Sequence, residues 1–208
     1  MQVPGSFFTK SVVNVSTDKP LPTVILMHGC TGIHQQDIIL ARDLTSQGFI
    51  VVMPDSLAIP KRVVNCNVKT NTPHLRLVPV ENIRPEEIKY AVKQLQQQSW
   101  ADKNNIFLIG HSEGAMGASI VRETGLSGII ISGFNCFFGI HAYSDTPVLA
   151  INFEKDSWLS KMSNRQCKDV WGDRTNAQQL ILPGVGHDTY NLPVVKQEIV
   201  SFLKTHIK

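Results

Sequence analysis

A serine between two glycines follows an apolar run in Ile106–Ser119, IFLIGHSEGAMGAS. Gly110-His111-Ser112-Glu113-Gly114 fits G-x-S-x-G, with a strand pattern before it and a small-residue helix pattern after it. In that setting the turn holds the serine hydroxyl out as a nucleophile, and side chains at 110 or 114 would crowd it. Ser112 would sit at a helix N-terminus, where free N–H groups favour developing negative charge.

A serine hydroxyl attacks a carbonyl only with the help of a base. Strand–turn–helix nucleophiles of this kind take their partners in the chain order Ser, Asp/Glu, His. His187 follows the last strand pattern in Pro183-Gly-Val-Gly-His187, where glycines suit a loop that bends back over a sheet edge. Of the other histidines, His28 and His111 lie inside motifs and read as packing or hydrogen-bonding residues. His34, His74 and His141 precede the expected acid, and His206 lies on the terminal helix. The acid is expected after Val148–Phe153, where Asp156 is preferred to Glu154 because it lies farther beyond the strand. Asp145, Asp169 and Asp188 are less well placed.

A tetrahedral intermediate needs hydrogen-bond donors for its oxyanion. One is expected from the backbone N–H of Glu113, next to the nucleophile. The other is expected from the loop His28-Gly29-Cys30-Thr31-Gly32, with the Cys30 N–H best placed and its flanking glycines allowing close approach. The Cys30 side chain itself reads as a small pocket filler.

These residues must be carried by strands and helices in alternation. Thr23–Met27, Phe49–Met53, Ile106–Ile109, Gly128–Ser132, Val148–Phe153 and Gln179–Leu182 read as strands, and Ser6–Val15 as a further antiparallel edge strand. Gln36–Gln47, Arg84–Trp100, Gly114–Glu123 and Val194–His206 read as helices. Arg84-Pro85-Glu86-Glu87 has the composition of a helix start, and Arg84 is expected to cap it. Strands that are apolar throughout predict a mostly parallel α/β sheet with helices on both faces. Ligands of such sheets bind beyond the carboxyl ends of the strands. Ser56–Asn82 lacks sustained periodicity and follows a strand on that edge, so it reads as an inserted loop forming a lid or pocket wall. Its Lys61 and Arg62 read as solvated charges ahead of a site for an acidic substrate. Arg84 is not expected to touch substrate, and substrate-binding residues are otherwise unassigned.

The chain of 208 residues, 42% hydrophobic, predicts one domain over 1–208. Its 20 Lys+Arg against 17 Asp+Glu are scattered, which argues against a nucleic-acid partner. No stretch approaches the length of a membrane span. No H-x-x-x-H pair suggests a metal site, and no cofactor is expected. Four cysteines, Cys30, Cys66, Cys136 and Cys167, lack C-x-x-C spacing and read as buried thiols. One or two disulfides, such as Cys136–Cys167, are the alternative in an oxidising compartment. The start lacks a signal-peptide layout, so a cytoplasmic location is expected, or a periplasmic or secreted one if a leader has been removed.

In order, LMHGCTG, IGHSEGA, FEKDSW and GVGHDTY make roughly residues 20–205 resemble the α/β-hydrolase superfamily, and within it the dienelactone hydrolase-like family. Dienelactone hydrolase proper uses a cysteine nucleophile, and this chain has Ser112. The resemblance implies an α/β-hydrolase fold without a large cap domain. It also implies a hydrolase of a small-molecule ester or lactone, with Ser112, Asp156 and His187 as triad and the Cys30 and Glu113 amides as oxyanion hole. A thioesterase, acyltransferase or peptidase would use the same residues, and a non-catalytic binding protein could keep the same fold.

Overall fold

The computed structural model describes residues 1, 15–62, 66–67, 72–73, 78–159 and 165–208. Its elements are β1 Leu21–Met27, α1 Gln35–Ser46, β2 Ile50–Val52, β3 Cys66–Asn67, β4 Thr72–Pro73 and α2 Val78–Leu95. There follow β5 Ala101–His111, α3 Glu113–Ile120, β6 Leu126–Ser132, β7 Val148–Asp156, β8 Ala177–Gly186 and α4 Pro193–Thr205.

Among the described residues six strands form one sheet in the order β2-β1-β5-β6-β7-β8, and every pairing between them is parallel. The interior strands are apolar runs because both their faces are covered. Alternate residues serve opposite layers. Ile25, Leu108 and Ile131 pack with Ile88, Val92 and Leu95 of α2 and Ala115 and Met116 of α3. Val24, Phe107 and Ile130 pack with Leu40 and Leu44 of α1 and Ile199 and Leu203 of α4.

From β1 the chain moves outward to β2, then crosses back to β5 on the other side of β1. Right-handed crossovers in opposite directions put α1 and α2 on opposite faces. The order therefore reverses between β1 and β5, where an open α/β sheet leaves a crevice at its carboxyl edge. The β1 and β5 ends are in register there, with Met27 beside Gly110.

Two expectations need correction. Helix α2 begins at Val78 rather than Arg84, and Pro85 lies inside it. Pro85 removes one helix donor. The helix continues because Arg84 is fully buried and because α2 lies so close to α3 that a Cβ at Gly117 would come 2.6 Å from Arg84 Cβ. Tertiary packing here outweighs a local stop signal. The cysteines are not thiols: Cys30 is bonded to Cys66, and Cys136 to Cys167.

The edge strand expected at Ser6–Val15 lies outside the described residues except for Val15. The 56–82 stretch is described in part. It holds a 3-10 turn at Ser56–Ala58, the short antiparallel pair β3–β4, and the first residues of α2. No helix among the described residues is long and apolar enough to cross a membrane.

Candidate active site

Ser112 lies at the junction of β5 and α3 with φ 54° and ψ −114°. A non-glycine residue rarely adopts positive φ, and such strain persists only where the surroundings impose it. Here the Ser112 N–H donates to Ser132 O at 2.9 Å. The flanking glycines make the approach possible. A Cβ at Gly110 would come 2.4 Å from Gly114 O, and one at Gly114 would come 2.2 Å from Met27 O. Ser112 thus lies hard against the end of β1, and an ideal Cβ at Gly29 would be 3.4 Å from its own Cβ.

His187 directly follows β8, and Asp156 ends β7. Gly186 pairs in register with Asp156, which brings the two side chains together. His187 Nδ1 is 2.8 Å from Asp156 Oδ2. The other carboxylate oxygen, Oδ1, accepts from the amides of Trp158 at 2.8 Å and Leu159 at 2.9 Å. With its carboxylate fixed at both ends, Asp156 accepts the hydrogen bond of Nδ1–H, which leaves the ring lone pair on Nε2. Both residues are buried. Glu154 points elsewhere: it is exposed, and its Oε2 accepts from the Gly184 N–H at 3.1 Å.

Ser112 and His187 line one cleft of about 390 Å³, together with Cys30, Thr31, Trp158 and Asp188. The Trp158 ring lies tilted against His187, with 5.5 Å between centroids. It is both wall and packing partner. Asp188, beside His187 in sequence, engages a different ring. Its Oδ1 is 3.3 Å from His111 Nε2 and accepts from Gln36 at 3.1 Å. The His111 hydrogen bond, together with that from Gln36, holds the Asp188 carboxyl well below its ordinary range, against the effect of partial burial. Burial in turn lowers the His111 pKa.

The Glu113 N–H belongs to the first residue of α3, where the helix ladder has no acceptor for it. The loop after β1 is held by His28. Its Nε2 accepts from the Ser56 N–H at 3.0 Å, which leaves Nδ1 protonated. Nδ1 donates to Gly29 O at 2.6 Å. Because a peptide is planar and trans, the N–H of Cys30 must point away from the side where Gly29 O is held. Burial, followed by the charge of Arg84, lowers the His28 pKa to about 4, so the ring is neutral.

Beneath these loops lies a charge cluster that the sequence reading missed. Arg84, with no exposed surface, donates to the main-chain oxygen of His28 and to Glu87 Oε2 at 2.8 Å. Its Nε lies 3.6 Å from Glu113 Oε1. The same Glu113 oxygen accepts from Arg62 Nη2. The expectation of a solvated Arg62 is therefore corrected. Its side chain is 1% exposed, because the buried Glu113 carboxylate needs a countercharge. Lys61 is exposed. The available signal was Glu113 itself, an acid in the first turn of an otherwise small and apolar helix. No group of His, Cys, Asp and Glu among the described residues could hold a metal ion.

No family model matches the sequence, and no curated protein matches it. Solved structures do. A cold-adapted esterase from an Arctic intertidal metagenomic library aligns with TM-score 0.68 and 15% identity, over 91% of this chain and 84% of that one. A candidate dienelactone hydrolase from Klebsiella pneumoniae subsp. pneumoniae aligns with TM-score 0.63 and 13% identity, over 92% and 88%. The esterase PE8 aligns with TM-score 0.58 and 16% identity, over 91% and 94%. At this level of identity the likeness is one of fold.

Proposed function

We propose that this chain, which has the α/β-hydrolase fold without a large cap, is a serine-dependent hydrolase of carboxylic esters or lactones. The observation that carries the reading is the buried His187–Asp156 pair, which shares a cleft with a serine held at positive φ. The names of the matched structures, two esterases and a candidate dienelactone hydrolase, support the ester class.

In this reading His187 Nε2 takes the proton of Ser112 Oγ as the oxygen attacks the acyl carbon. The amides of Cys30 and Glu113 receive the oxyanion. The protonated ring then gives its proton to the departing alkoxide, and the acyl group remains on Ser112. Water, deprotonated by the same nitrogen, releases the acid. Asp156 keeps Nδ1 protonated and stabilises the imidazolium.

Ser112→Ala should lower hydrolysis of p-nitrophenyl acetate by at least ~10³-fold while the cooperative unfolding transition persists. It should also abolish labelling by a fluorophosphonate probe. Retained turnover or labelling would sink the assignment. A panel of esters, thioesters and amides, run with both proteins, would separate esterase from thioesterase and peptidase activity.

A further inference from the structure

The two residues whose amides are proposed to hold the oxyanion are both tied, through their side chains, to one short stretch. Cys30 is disulfide-bonded to Cys66, with 5.9 Å between Cα atoms. The Glu113 carboxylate is ion-paired with Arg62. Arg62 and Cys66 are four positions apart, and neither belongs to the sheet or helices that carry the catalytic side chains.

From this we infer that Arg62 and Cys66 are positioning residues that brace the oxyanion hole from outside, and that thiol reduction releases the brace. The inference rests on the proposed oxyanion roles of Cys30 and Glu113. An oxyanion donor contributes only while it is aimed at the place where charge develops. His28 holds the Gly29 end of the loop, and glycines flank Cys30 itself. Gly29 precedes it, and Gly32 follows with φ +96°. The Cys30–Cys66 bond supplies a constraint that the loop backbone does not. On the other side, Arg62 neutralises a buried carboxylate on the residue that carries the second donor.

The two disulfides differ in access. Cys30 lines the substrate cleft and is 8% exposed, and Cys66 is 6% exposed. Cys136 and Cys167 have no exposed surface. Disulfide exchange requires a thiolate to reach a sulfur. A dithiol therefore reduces Cys30–Cys66 first: its thiolate attacks one sulfur, the other leaves as a thiolate, and the mixed disulfide is resolved by the second thiol. Two electrons pass to the protein, two cysteine thiols appear, and the reductant becomes a cyclic disulfide.

The test is a dithiothreitol titration of the wild-type enzyme, with thiols, unfolding midpoint and p-nitrophenyl acetate kinetics followed together. The appearance of the first two thiols should lower kcat by ~10–100-fold at nearly constant KM, because a donor is misaimed rather than removed. The protein should stay folded at the assay temperature, and reoxidation should restore kcat. Cys66→Ser should show the same loss and no response to the first reducing equivalents. Arg62→Met should also lower kcat, and Arg62→Lys should recover most of it. Unchanged kcat after two thiols form, or a change confined to KM, overturns the brace. If Cys66→Ser does not fold, the wild-type titration decides alone. Activity that survives Ser112→Ala would instead overturn the proposed function, so the two failures are distinguishable.

Discussion

Arg84 donates from a fully buried guanidinium to the main-chain oxygen of His28, and so joins α2 to the loop that follows β1. The same group neutralises Glu87 and faces Glu113. Arg84→Ala would take the cation from Glu87, leave Glu113 with Arg62 alone, and unpair a main-chain carbonyl beneath the cleft. Breaking a buried pair from one side costs about 3–5 kcal/mol. Urea unfolding should register a loss of that size. Arg84→Lys should recover only part of it, since an ammonium cannot reach three acceptors with the guanidinium's planar fork. A neutral Arg84→Ala would show that the cluster contributes nothing to stability.

Asp156, the acid of the proposed triad, has one oxygen on His187 and the other on two amides. Asp156→Asn should lower kcat by ~10²–10⁴-fold, because the amide favours the wrong imidazole tautomer. Glu154→Gln should stay close to wild type, since that carboxylate meets a loop amide on the exposed side. Steady-state kinetics on one ester would compare them, and the opposite ranking would transfer the acid role to Glu154.

Acidification should destabilise the fold through His28. His28 titrates at about 4 in the folded chain, against an ordinary value of 6.5. Between those values the unfolded chain binds a proton that the folded chain refuses. Stability from this group is therefore complete above pH 6.5 and is lost as pH falls towards 4. The loss amounts to roughly 3 kcal/mol at the lower end. His111 acts in the same direction, and buried Asp37, whose carboxyl is raised, acts in the opposite one. Urea midpoints at pH 4.5 and 7 would test this. His28→Asn should flatten the difference, and an unchanged slope would reject His28 as the source.

The parallel sheet was readable because its interior strands are unbroken apolar runs, a pattern that a sheet covered on both faces imposes. The pairing of Asp156 with His187 was readable because this topology presents loop residues at strand ends, in a set order. Arg62 and Arg84 were not. A charged residue in an irregular stretch looks solvated until its partner is known, and Glu113 lies 51 positions from Arg62. The start of α2 was misplaced for the same reason. Arg84-Pro85 carries a local start signal, and only contacts with α3 and the β1 loop extend the helix past it. Cys30–Cys66 was unreadable because four isolated cysteines allow several pairings.

The backbone at Ser112 has a consequence for evolution under thermal stress. A non-glycine residue held at φ 54° costs of order 1–3 kcal/mol, which glycine would not incur. Part of that gain is offset by glycine's extra freedom in the unfolded chain. Ser112→Gly should then unfold at a higher temperature than Ser112→Ala, and a lower midpoint would refute this. Selection for durability alone would therefore favour glycine at position 112. Under the proposed function, serine at positive φ is a position where stability is given up for a hydroxyl.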